Sequence, residues 1–141
     1  MKRLGMVVAA AAVVAAMLGG CGTVSLAPTP EPTHVTFESP RPLRATYRVV
    51  VDYLERCLRP AGYRVRGELE AGVERARIEA DVGVGLDRTV FLANRRGLSI
   101  ELHAPAADGP TVVTATRWDP ALEASLRELR RAILDQGAAC P

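Results

Sequence analysis

At Tyr63 the apolar residues stop recurring every three or four positions and begin to alternate, and this change restricts the fold more than any other feature. Tyr63, Val65 and Leu69 alternate with Arg64, Arg66, Glu68 and Glu70. After a turn at Ala71-Gly72, the residues Ala76, Ile78, Ala80, Val82 and Val84 alternate with Arg75, Arg77, Glu79 and Asp81. Leu98, Ile100, Leu102 and Ala104 alternate in the same way with Ser99, Glu101 and His103. Successive strand side chains point to opposite faces, so this pattern describes a sheet with one buried and one wet face, the habit of antiparallel meanders. Thr89 to Ala93 is apolar on both sides and suits a central strand. Asn94-Arg95-Arg96-Gly97 reads as a turn, Pro105 to Pro110 as a loop, and Thr111 to Trp118 as the last strand.

Helical periods flank this region. Leu43, Tyr47, Val50, Val51, Leu54 and Cys57 or Leu58 fall on one helix stripe, and Arg44, Arg48, Asp52, Glu55, Arg56 and Arg59 on the opposite face. Pro60 and Gly62 end that helix. A second helix begins at Asp119-Pro120, where Asp caps free amides and Pro forfeits no hydrogen bond. Its stripe is Leu122, Leu126, Leu129 and Ile133, with Gly137 expected at its C-terminal cap. The fold class expected is α+β: a two-layer sandwich, with an antiparallel meander of four or five strands and both helices on one face. Residues 43–141 then form a single domain.

The N-terminus has the three zones of an export signal. Lys2 and Arg3 are basic, Leu4 to Met17 is an apolar run rich in Ala and Val, and Leu18-Gly19-Gly20 precedes Cys21. The run is shorter than the roughly 20 residues a membrane-spanning helix needs. With residues 1–20 removed, 16 Arg face 16 acidic residues. A neutral chain argues against electrostatic nucleic-acid binding.

Leu18-Gly19-Gly20-Cys21 resembles the lipobox of bacterial lipoproteins. The resemblance implies cleavage before Cys21, a diacylglyceryl group on its sulfur and an acyl chain on the new amine. Two or three acyl chains anchor a protein stably to a membrane. If the host is Gram-negative, Gly22, in place of the Asp that commonly holds such lipoproteins at the inner membrane, favours the periplasmic side of the outer membrane. The resemblance covers 21 residues and carries no activity. In overall layout the chain is also similar to small uncharacterised proteobacterial lipoproteins.

Residues 21–42 read as the lipidated cysteine and a tether, with prolines at 28, 30, 32, 40 and 42. Such spacing favours extended polyproline II, with a reach of about 60 Å. A competing reading docks His34, Val35 and Phe37 as a short edge strand.

With Cys21 lipidated, Cys57 and Cys140 remain. Exported thiols oxidise, so two leftovers in a small domain are most simply one disulfide. The spacing lacks the close pair of a redox or zinc motif.

Chemistry is sparse. Ser99, Glu101 and His103 share one strand face, but i and i+2 residues lie roughly 6.5–7 Å apart, too far for a hydrolytic triad. Gly83-x-Gly85 lacks the third glycine and following helix of a nucleotide loop. His34 and His103 have no partners at metal-ligand spacing, and no residue pattern points to a cofactor. Arg95 and Arg96 suit either a solvated turn or a phosphate contact, and Trp118 is expected to pack under the second helix. The expected function is that of a non-enzymatic, membrane-anchored envelope lipoprotein that binds or supports another envelope component. The alternative is a module holding a lipid or other apolar molecule between helices and sheet, for which the small residues Ala76, Ala80, Ala93 and Ala115 leave room.

Overall fold

A computed structural model describes residues 31–70, 72, 74–82 and 95–141. In chain order these form β1 (Thr33–Ser39), α1 (Leu43–Cys57), β2 (Tyr63–Leu69), β3 (Arg75–Val82), β4 (Arg95–His103), β5 (Thr111–Arg117) and α2 (Glu123–Ile133), the last preceded by a 3-10 turn at Pro120–Leu122. The five strands make one sheet of order β1-β5-β4-β3-β2, antiparallel throughout. This is the α+β architecture that the alternating pattern implies.

The register aligns the inward rows. Val35 of β1 faces Ala115 of β5, which faces Ile100 of β4, which faces Ile78 of β3. The neighbouring row runs Phe37, Val113, Leu102, Ala76, Leu69. α1 packs on β2, β3 and β4 and against α2. Arg130 of α2 lies over the Phe37 ring on the same inward row. Val50, Leu54, Ile78, Ala80, Ile100, Val113, Ala115, Leu129 and Ile133 are wholly excluded from solvent. Burying one such Val, Leu or Ile side chain contributes about 1.5–3 kcal/mol.

Four expectations need correction, the last of them the stripe of α1. First, the tether does not extend to residue 42. Thr33–Ser39 is β1, paired along its whole length with β5. Val35 and Phe37 are half-buried while His34, Thr36 and Glu38 are exposed, so the domain's alternation begins before Pro40. Pro32 and Pro40 lie just outside the ladder, where a missing N–H costs no strand bond. The domain therefore begins near Thr33, and the expected strand at Thr89–Ala93 lies outside the described residues.

Second, Arg95, Arg96 and Gly97 belong to β4 and not to a turn. Ala80 pairs with Leu98 whereas Asp81 pairs with Arg96, so Gly97 is the extra residue of a bulge. A Cβ on Gly97 would lie 2.8 Å from the Ala80 carbonyl oxygen and 2.9 Å from the Tyr63 ring, which only glycine avoids.

Third, α2 is capped by Asp135 and not by Gly137. Asp135 has φ 57°, its N–H donates to Ala132, and the N–H of Gln136 donates to Arg131 at 2.9 Å. This is the paired Schellman closure, and Asp is among the few non-glycine residues that accept the left-handed conformation. At the other end Asp119 caps the 3-10 turn that leads into α2: its carboxylate oxygen accepts from the N–H of Ala121 at 3.0 Å, while α2 itself starts after Leu122 with no side-chain cap.

The stripe of α1 is also rotated from its expected position. Thr46 and Tyr53 are buried, while Tyr47 and Val51 are only half-buried. α1 meets both the sheet and α2, and a stripe serving two partners is broader than an i, i+4, i+7 row.

Candidate functional site

The antiparallel register brings Thr33, Tyr63, Val82, Arg95 and Arg117 to one end of the sheet, and Ser39, Leu69, Arg75, His103 and Thr111 to the other. α1 packs on the inward face and against α2. The outward face carries a mixed polar surface built from the alternation itself: Thr36 beside Thr114, Thr114 beside Glu101, Glu101 beside Arg77 and Arg77 beside Glu68.

At the end remote from Thr33, an open groove of about 360 Å³ is lined by Glu70, Arg75, Arg77, Glu101 and His103, together with Ala76 and Leu102. Arg77 donates to a Glu101 carboxylate oxygen at 2.7 Å. That hydrogen bond and the Glu101 charge push the Arg77 guanidinium further above its ordinary range. The pair neutralises the centre of the groove and leaves Arg75, His103 and Glu70 on its walls. Such a surface suits complementary polar contact. Among the described residues, no hydrogen bond joins Ser99, Glu101 and His103 to one another.

The remaining singled-out residues are placed as follows. Cys57 and Cys140 are joined in a disulfide with their Cα atoms 5.2 Å apart. His34 shares a hydrogen bond of 3.0 Å with the Thr116 hydroxyl on the outward face. Trp118 is half-buried, with the Arg96 guanidinium 5.6 Å from its ring centroid. Its backbone N–H donates to the Gly97 carbonyl at 3.0 Å, which fixes it to the bulge. Cys21, Gly83, Gly85 and Ala93 lie outside the described residues. Among the described residues, no group of three His, Cys, Asp or Glu side chains is placed to hold a metal. None of the described helices is long and apolar enough to cross a membrane.

Several interactions escape a sequence reading. The buried Ser39 and Thr46 hydroxyls lie 2.9 Å apart, and the Thr111 hydroxyl donates to the Arg41 carbonyl at 2.9 Å. Together they join β1, α1 and β5 beneath Pro40. Arg41 also pairs with Asp135, which ties the β1–α1 connection to the end of α2. Asp81 is buried and accepts from Arg66 at 2.6 Å, which compensates its lost hydration. The C-terminal tail returns along the helices. The Tyr53 hydroxyl donates to the Ala139 carbonyl at 3.4 Å, and the Ala139 N–H donates to Glu128 at 3.3 Å. Burial raises the Tyr53 phenol above its usual value, so it remains a donor. The Ala139 N–H, followed by Arg131, lowers Glu128 below its usual value. The only advance signal for these was the pair of cysteines, which demands that the tail come back to α1.

No family model matches the chain, and no curated protein matches it. Two solved structures share a weak likeness. TTHA0849 from Thermus thermophilus is 16% identical over 73% of this chain and 86% of its own, with a TM-score of 0.25. The Zhui aromatase/cyclase from Streptomyces sp. R1128 is 17% identical over 75% of this chain and 85% of its own, also with a TM-score of 0.25. Likeness at this level transfers neither a fold nor a chemistry.

Proposed function

We propose that this chain is a membrane-anchored, non-enzymatic envelope lipoprotein whose domain docks another envelope component. The observation that carries the proposal is the allocation of its three cysteines. Cys21 follows an apolar run in a lipobox-like setting, and Cys57 and Cys140 are used by each other. No thiol is left for chemistry, and a disulfide in a small domain belongs to an oxidising compartment. With β1 starting at Thr33, only residues 22–32 separate the anchor from the fold. Twelve peptide links extend at most about 40 Å, so the domain works close to the bilayer. The described helix–sheet layer is filled by Tyr53, Leu54, Ile78, Leu98 and Ile100, each at most 1% exposed. That packing favours a docking surface over an apolar ligand held inside the domain.

Two measurements test the proposal. Mass spectrometry of the mature N-terminus should find an acylated Cys21, and Cys21→Ser should stay unprocessed and lose its lipid. A soluble, unlipidated mature protein refutes the anchoring. A photo-crosslinker at Thr114 or Glu101 on the outward face should then capture a defined envelope component in intact cells, while one at exposed Arg127 on α2 should not. A stoichiometric lipid co-purifying with the domain would favour the ligand reading instead.

A further inference from the structure

Among the described strands, β2 is an edge of the sheet. The N–H of Glu70 donates to the Arg75 carbonyl at 3.2 Å, so the even-numbered residues of β2 turn their backbone groups toward β3. The backbone groups of Val65, Gly67 and Leu69 therefore face outward. The N–H of Tyr63, on the same side, is already taken by the Leu58 carbonyl at 3.1 Å. Leu69 is the one large apolar side chain exposed among the described residues, at 36%. No proline interrupts β2, whereas the opposite edge, β1, is bracketed by Pro32 and Pro40.

From this pattern we infer that two copies of the chain pair through β2, antiparallel, about a two-fold axis at Gly67. This register sets Arg66 opposite Glu68 and Arg64 opposite Glu70, each twice, on the outward face. On the inward face it sets Val65 opposite Leu69, covering the exposed leucine. Facing residues in a non-hydrogen-bonded antiparallel pair lie about 4.5–5.5 Å apart at Cβ, within reach of Arg–Glu pairing. Among the described residues, no hydrogen bond or ion pair engages the Arg64 or Glu68 side chain. Arg66 already touches Asp81 at 2.6 Å but remains 54% exposed, with donors to spare. Gly67 sits where the two backbones meet, and its inward side is filled by the Tyr47 hydroxyl.

Competing arrangements are worse. Moving the axis to Arg66 sets that arginine against its own copy, and a parallel pairing sets like charges side by side; both are destabilising. Charged edges usually discourage pairing. Here the order Arg-x-Arg-x-Glu-x-Glu is its own complement when reversed, so the charges select one partner and one register. The product is a continuous ten-stranded sheet with all helices on one side, closed by two-fold symmetry.

Sedimentation equilibrium of the full chain in mild detergent, with amide exchange on the same sample, tests this. The chain should sediment as a dimer, and the amides of Val65, Gly67 and Leu69 should exchange slowly. Glu68→Arg, which opposes Arg66 with arginine twice, should weaken dimerisation about tenfold or more, well beyond the small cost of also facing Arg77 within the monomer, which thermal unfolding of the monomer reads separately. Arg64→Glu and Glu70→Arg should each weaken it, and the two together should restore it. A monomer at all concentrations, a dimer indifferent to Glu68→Arg, or fast exchange at the three outward amides overturns the inference. Rescue of Arg64→Glu by Glu68→Arg in place of Glu70→Arg overturns the register.

Discussion

Replacing both Cys57 and Cys140 by alanine should remove a large share of the domain's stability. The bridge spans a sequence separation of 83 residues. In the chain-entropy model a loop of that length restricts the unfolded chain by about 15 cal/mol/K, or about 4.6 kcal/mol at 25 °C. Folded-state contacts offset little of the loss, because Cys140 is exposed and Cys57 only half-buried. Domains typically have 5–15 kcal/mol in all, so the variant should sit near the threshold of folding. Urea titration followed by far-ultraviolet circular dichroism is the assay. The midpoint should fall sharply, and the slope should rise, because a chain freed of its cross-link exposes more surface when it unfolds. Reduction of the wild-type protein should reproduce both changes. Loss of less than about 1 kcal/mol, or an unchanged slope with a large loss, would show that the bridge does not act through the unfolded chain.

Other substitutions probe the register, the bulge and the tail. Ile100→Ala should cost about 2–5 kcal/mol by chemical denaturation, through lost burial and the cavity left behind. Ser99→Ala with His103→Ala should stay within about 0.5 kcal/mol; the opposite ranking would mean that the outward and inward faces are exchanged. Gly97→Ala should cost about 1–3 kcal/mol, because its Cβ meets a backbone carbonyl that cannot turn aside, and an unchanged thermal midpoint would refute the close approach. Glu128 has a folded pKa below its ordinary 4.5, so its contribution is present above that pH and is lost as pH falls through the lower folded value. Glu128→Gln should therefore flatten the acid limb of the stability curve and speed exchange of the Ala139 amide at neutral pH; an acid limb identical to wild type would contradict the tail contact.

Much of the domain could be read from its residues. Alternation alone separated Leu98, Ile100 and Leu102 from Ser99, Glu101 and His103, because a half-buried sheet repeats every two residues. Cysteine arithmetic paired Cys57 with Cys140. The parts that could not be read are those set by long-range register. Whether Arg77 meets Glu101 depends on the β3–β4 alignment, and that alignment depends on one extra residue at Gly97. β1 was obscured because prolines on both sides dominate a seven-residue window, although its own alternation was present. Asp135 takes the left-handed position in the glycine's place, and its carboxylate pairs with Arg41 from 94 positions away, a contact that local sequence does not announce.

The disulfide divides the chain topologically. Residues 57–140 form a covalent ring that holds β2 to β5 and α2, while β1 and nearly all of α1 lie outside it. β1 is thus the one described strand outside the ring, held by its ladder with β5, the Ser39–Thr46 contact and the packing of Val35 and Phe37, with no covalent closure. It runs into the sheet from Thr33, the residue nearest the proposed anchor, and is aligned with β5 over seven register pairs. A pull from the membrane along that axis meets the ladder in shear, where all seven pairs resist together, and does not peel it from one end. If the ladder yields, the ring keeps the other four strands covalently closed. The first element that a pull on the proposed anchor reaches is then the one described strand that the ring does not close.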